Sequence, residues 1–341
     1  MQRRFALLWI LTVCFFLSIN AQQNVSPLFA SDELLQITLE TDLKKFLNDR
    51  GGDPSYHDAK LSLTDANGKI EQGEVEIKAR GRFRRDELTC HYPPIRVKFS
   101  KKKESPAVFK GQTKLKLVTH CADEQFVLRE YYIYKVYNLI TERSFRVRLA
   151  KIKYVDTQGE MPTEEAFSFF IEDEEDMALR NGENAIGDDV PITYEDVDEN
   201  QVTLVHIFNY MIANRDFRIP TPSQNMKIIT QGNAKPTPVP YDFDWSGMVD
   251  ASYTKLTGEA GPTYEDRQNF KPLCRTKEEY EVIFGKLREI EDDIENLYKN
   301  SPYLDSKVIK ESLKYYKDFY KTINNPKKVE EIFVQSCKAV K

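Results

Sequence analysis

Residues 202–216 read VTLVHIFNYMIANRD, residues 225–230 read NMKIIT and residues 239–247 read VPYDFDWSG. The first stretch is apolar nearly all round at helical spacing, from Val202, Leu204 and Val205 to Phe208, Met211 and Ile212. That pattern predicts a buried helix over Val202–Asn214. His206 inside it reads as a core histidine. Asp216 follows the helix, a loop holding Pro220 and Pro222 leads to Asn225, and Asp242 and Asp244 stand at the end of a second strand-like run. Carboxylate and carboxamide oxygens of this kind are the hard ligands that Mg2+ accepts.

The 341 residues are 40% hydrophobic and 30% charged, as in a globular protein long enough for two packed lobes or one large domain. A net charge of −5 gives no field to draw nucleic acid or an anionic membrane. Residues 1–21 carry Arg3 and Arg4, then an apolar run from Phe5 to Ile19, the form of a secretory signal peptide rather than a membrane span. No later run is long enough to span, so an exported chain is expected. Of its five cysteines, four remain beyond that leader: Cys90, Cys121, Cys274 and Cys337. The simplest pairing is Cys90 with Cys121 and Cys274 with Cys337, one of three that four cysteines allow.

Residues 60–99 read as strands. In YPPIRVKF (92–99), Ile95, Val97 and Phe99 alternate with Arg96 and Lys98, which therefore share a face. A lysine there is solvated unless the strand lines a cleft. Arg80 opens a basic turn, RGRFRR, that can meet phosphate or water. The pattern over Asp123–Thr141 predicts a helix whose apolar stripe (Phe126, Ile133, Tyr137, Ile140) is interrupted by Glu130. A carboxylate in such a stripe needs a partner or an edge from which to reach water. Residues 144–173 read as a hairpin, with a linker near Glu172, and residues 184–200 as an acidic loop. Thr276 to Glu279 form a capping-box pattern that opens the first of several amphipathic C-terminal helices.

Protein kinases place an Asp that receives the hydroxyl proton, an Asn a few residues later on metal, and a further metal-holding Asp after the next hairpin. Asp216, Asn225 and Asp242 keep that order with a longer first gap. Over roughly residues 60–253 the chain resembles the spore-coat protein H (CotH) kinase-like family, secreted members of the protein-kinase-like fold. The resemblance rests on RGRFRR (80–85), YPPIRVKF (92–99), KLKLVTHC (114–121), REYYIYKVYNLIT (129–141), FFIED (169–173), NRD (214–216) with QN (224–225), and PYDFDWSG (240–247).

It implies an α+β, two-lobed fold: a β-rich N-terminal lobe over residues 22–172 and a mainly helical C-terminal lobe over 173–341. It also implies ATP-dependent phosphorylation of Ser or Thr on a protein, with Mg2+ or Mn2+. The implied roles are Asp216 as base, Lys98 on the phosphates and paired with Glu130, Arg80 and Glu172 as further nucleotide contacts, and Asn225 and Asp242 on metal, with Asp244 as a second-choice ligand. The chain departs from the family at Arg82-Phe83, where many relatives have Asn-Ser, and at Gln224, where a histidine is expected. The alternatives are a non-catalytic nucleotide- or partner-binding relative and a Ca2+-binding surface protein that uses Asp242, Asp244 and the acidic loop.

Overall fold

A computed structural model describes residues 25–100, 102–257 and 272–337. The leader-like segment 1–21 and most of the loop expected over 258–275 lie outside them.

The N-terminal half is a barrel rather than the open sheet of a two-lobed kinase. Its strands are β1 (Leu35–Thr41), β2 (His57–Thr64), β3 (Ile70–Ala79), β4 (Ile95–Phe99), β5 (Lys114–Val118), β6 (Val147–Asp156) and β7 (Glu164–Ile171). They run in the order β1-β2-β3-β4-β5-β7-β6, and β6 returns to pair with β1. Every pairing is antiparallel except β1 with β6, which runs parallel from Leu35 opposite Ala150 to Thr41 opposite Asp156. Closure leaves the sheet no free edge. Alternate side chains point inward, so Ile95, Val97 and Phe99 are buried in the barrel with Leu115, Leu117, Ile77 and Ile37. Arg96 and Lys98 face outward, as their alternation predicts.

Helix α1 (Leu43–Asn48) covers one end of the barrel, and α2 (Glu124–Ile140) packs on β7 and β6. Asp123 caps α2 by accepting from the Gln125 N–H. Ile133 and Tyr137 of the predicted stripe are buried, and so are Leu128 and Val136 on other faces. The reason is that α2 is enclosed: one continuous apolar cluster runs from α2 through Phe208 and Phe243 to Phe284, Phe319 and Phe333 in the C-terminal helices. The β-rich and helical halves therefore share core.

The second half begins with α3 (Glu174–Arg180), β8 (Asn184–Ile186) and the buried helix α4 (Glu199–Met211), capped by Asp198. Strands β9 (Met226–Thr230) and β10 (Thr237–Pro240) join β8 in a three-stranded sheet ordered β10-β9-β8. Helices α5 (Lys277–Glu289), α6 (Glu291–Lys299), α7 (Ser306–Ile323) and α8 (Pro326–Val329) follow. The capping box at α5 forms, Thr276 and Glu279 exchanging side chain-to-backbone bonds. Both expected disulfides are present: Cys90–Cys121, with Cα atoms 4.5 Å apart, and Cys274–Cys337, at 4.8 Å. No helix among the described residues is long and apolar enough to cross a membrane.

Candidate active site

A relay of buried amides carries the end of α4 to Asp216. Asn209 donates from Nδ2 to the Val205 carbonyl and accepts from Asn214 Nδ2 at 2.8 Å. Asn214 Oδ1 in turn accepts the Asp216 N–H at 3.0 Å. Ala213, at φ +54, turns the chain out of the helix between them.

The long loop after Asp216 does not carry Asn225 away. Arg218 and Gln224 exchange backbone hydrogen bonds of 3.0 and 2.9 Å, which pinches the loop shut at its base. Asn225 Nδ2 donates to the Asp216 carbonyl and to Asp216 Oδ2, both at 2.8 Å, and the Gln224 amide donates to Asp216 Oδ1. With its amide hydrogens committed to Asp216, Asn225 has Oδ1 left to face a cation.

The antiparallel register of Met226 with Pro240 brings Asp242 alongside, and the Tyr241 N–H donates to the Asn225 carbonyl at 3.1 Å. Asn225 and Asp242 both adopt left-handed backbone, at φ +51 and +61. That conformation costs energy in residues other than Gly and is held here by surrounding contacts. The Asp242 N–H donates to the buried Tyr134 hydroxyl of α2 at 2.7 Å. Burial first, and the nearby Asp242 charge second, raise the Asp216 carboxyl above the usual carboxylate range, against the Asn225 hydrogen bond.

Behind Asp242 lies a buried ion cluster. The Arg84 guanidinium reaches Asp242 Oδ1 at 2.8 Å through Nη2, Asp244 Oδ2 at 3.2 Å through Nε, and Glu130 Oε2 at 3.6 Å through Nη1. Glu130 is 1% exposed and Asp244 4% exposed, and Tyr253 also donates to Asp244 Oδ2 at 3.0 Å. Three carboxylates thus share one guanidinium. Burial pushes the Asp244 carboxyl up to about 7 against the pull of Arg84, and burial likewise raises Glu130 well above its ordinary value. For Arg84 itself burial opposes the charge, but the surrounding acids keep it ionised. Its neighbour Phe83 is wedged against Trp245 and Tyr253, with ring centroids 5.5 and 6.3 Å apart.

Glu130 therefore has a cationic partner, and it is Arg84 rather than Lys98. Lys98 lies opposite Glu76 in the β3–β4 register, and its ammonium sits 2.6 Å from Glu76 Oε2, over the Tyr56 ring. The strand alternation put Lys98 on the right face of the barrel, but one rung from the row that meets the site. That row runs Lys78–Arg96–Lys116 across β3, β4 and β5; Lys78 at its far end pairs with Asp53, and Lys116 stands at the site. Lys116 stands 4.7 Å from the centroid of the Tyr241 ring, next to Asp242. Burial, followed by the Arg80 charge, lowers its ammonium to about 8. Arg80 feels Asp242, Arg84 and Arg96, and so belongs to the same cationic wall. The signal for Lys116 was present in KLKLV, where Lys114 and Lys116 alternate with buried Leu115 and Leu117.

Two other expected residues do not stand free for a ligand. Glu172 makes a buried two-point pair with Arg180, at 3.1 and 3.0 Å, and accepts the Arg146 N–H at 3.0 Å. Asp244 is engaged by Arg84 and Tyr253. The acidic loop does not join Asp242 either: Asp188 pairs with Lys227, Asp196 accepts from Thr193, and Asp198 caps α4.

Asp216, Asn225, Tyr241 and Asp242 are half-buried, so the site opens to solvent, whereas cavities elsewhere line the barrel wall near Lys60 and the end of α2 near Glu142. Among the described residues no three His, Cys, Asp or Glu side chains are arranged to hold a metal ion. A cation here would rely on Asp242, the Asn225 amide oxygen and oxygens of a bound phosphate. The residues fit that role: Asp242 and the Asn225 amide supply hard oxygens on the same half-buried patch.

No protein-family profile and no curated protein matches the chain. Among solved structures, that of a Helicobacter pylori proinflammatory kinase, CtkA, is similar with a TM-score of 0.40 and 8% identity, over 70% of this chain and 94% of that one.

Proposed function

We propose that this chain is an exported protein kinase of CotH-like type, built as a β-rich lobe over 22–172 and a helical lobe over 173–341. It would move the γ-phosphoryl group of ATP to a Ser or Thr hydroxyl of a secreted or surface protein. The observation that carries the reading is the convergence of Asp216, Asn225 and Asp242 on one solvent-facing patch opposite the Arg80–Arg96–Lys116 wall. The two disulfides support export.

In this reading Asp216 orients the acceptor hydroxyl and takes its proton as the acceptor oxygen bonds to the γ-phosphorus. The bond from that phosphorus to the β–γ bridging oxygen breaks, and ADP leaves. The raised Asp216 carboxyl makes a better proton acceptor than an ordinary aspartate. Lys116, Arg80 and Arg96 hold the polyphosphate, the role that Lys98 was expected to fill. Asn225 and Asp242 would hold Mg2+ or Mn2+, which neutralises phosphate charge when bound. Glu172 keeps a structural part through Arg180.

The test uses mature protein with labelled ATP and Mg2+ or Mn2+, beside Asp216→Asn and Asp242→Asn. Incorporation by the wild type that both variants lose supports the kinase. Nucleotide binding without incorporation favours a non-catalytic relative.

A further inference from the structure

Glu130 Oε1 is buried and has no hydrogen-bond partner; the Phe243 backbone N–H also reaches this carboxyl group, and Oε2 lies 3.6 Å from the Arg84 guanidinium, beyond a normal charge-assisted bond. The same guanidinium makes its short contact, 2.8 Å, with Asp242 Oδ1. A buried carboxylate oxygen left without a donor costs free energy, so the cluster holds an unmet demand within reach of the group that could meet it. Arg84 is not loose. Phe83 anchors it on Trp245 and Tyr253, and the loop that carries it ends at Cys90, tied to Cys121 at the foot of the helix that bears Glu130.

We propose that Arg84 is a positioning residue that stands in for a divalent cation on Asp242 and passes to Glu130 when the cation arrives. The inference rests on Asp242 as a metal ligand. In the metal-free arrangement the guanidinium supplies the positive charge that Asp242 requires. When a metal ion takes Asp242, Glu130 receives Arg84, Asp244 continues to hold Nε, and α2 is drawn onto the Arg80–Cys90 loop. Glu130 therefore sets how readily the site gives up its resident cation. A Lys in place of Arg84 would offer one charge centre and could not bridge three acids.

The experiment measures Mn2+ affinity calorimetrically on the full mature chain without nucleotide, in a double-mutant cycle. Glu130→Gln is expected to weaken Mn2+ about tenfold where Arg84 is present and to have no effect in an Arg84→Met background. A loss of equal size in both backgrounds would mean that Glu130 acts on the ion directly, and overturns the hand-over. Should the variants fail to fold, a crystal structure of the wild type grown with Mg2+ decides: Arg84 Nη1 closes from 3.6 Å to hydrogen-bond distance of Glu130 if the hand-over occurs, and an unchanged separation with metal on Asp242 overturns it. Absence of any Mn2+ binding by the wild type removes the reading of Asp242 along with this inference, whereas binding that Asp242→Asn abolishes preserves that reading whatever Glu130 does.

Discussion

The backbone N–H of Asp242 donates to the hydroxyl of Tyr134 at 2.7 Å, so a residue of the candidate metal site is held by a helix more than one hundred positions away in sequence. Tyr134 is 1% exposed and packs on Phe243. Tyr134→Phe removes the acceptor and leaves a polar hydrogen in apolar surroundings. The expected cost is about 1–3 kcal/mol in urea unfolding, with an unchanged denaturant slope and weakened Mn2+ binding.

Lys116 supplies a pH test. Its ammonium is lowered to about 8, chiefly by burial. Between about pH 8 and the ordinary lysine range the folded state binds fewer protons than the unfolded state, so this group adds stability as pH rises through that window and is most costly below pH 8. Lys116→Met is therefore expected to stabilise the fold at pH 7 and to lose that advantage near pH 10.5. Limited acylation at pH 8, read by mass spectrometry, should label Lys116 ahead of Lys98, whose ammonium is held up by Glu76, and ATP should protect it.

Glu172 and Arg180 are 2% and 1% exposed as side chains and bind at two points. Breaking such a pair from one side strands a buried charge. Arg180→Met is expected to cost about 3–5 kcal/mol in thermal or denaturant unfolding. Glu172→Gln should lower stability in the same assay while leaving nucleotide affinity unchanged, the opposite of what a nucleotide contact would give.

The Cys90–Cys121 bond closes a loop of 31 residues and ties the Arg84 turn to the start of α2. Cys90→Ser with Cys121→Ser should lower stability by about 2–4 kcal/mol. Alkylation of the unreduced chain should find none of Cys90, Cys121, Cys274 and Cys337 free.

The elements with strong local signals were legible. The alternation at 95–99, the all-round apolar α4 and the Thr276 capping box each follow from a period or a cap that neighbouring residues fix on their own. The oddity of Glu130 was legible too, since a carboxylate in an apolar stripe demands a partner wherever it lies. Its partner was not. Choosing Arg84 over Lys98 depends on how the loop after β3 folds back against α2, and choosing Lys116 over Lys98 depends on which rung of the barrel faces Asp242, set by register between strands remote in sequence. The adjacency of Asp216 and Asn225 was hidden for a similar reason: the residues between them form a loop pinched at Arg218 and Gln224, whose length says nothing of the distance it spans. Barrel closure was invisible because it rests on the parallel pairing of β1 with β6, strands far apart in sequence.

That closure has a consequence for biogenesis. The first strand, Leu35–Thr41, finds its second neighbour only in Val147–Asp156. At a synthesis rate of about 5–20 residues per second, the nascent chain waits on the order of 10 s with one flank of the growing sheet unpaired. A holding chaperone would have its natural docking point there, and a chain halted before Val147 would keep a sticky strand exposed instead of a finished domain.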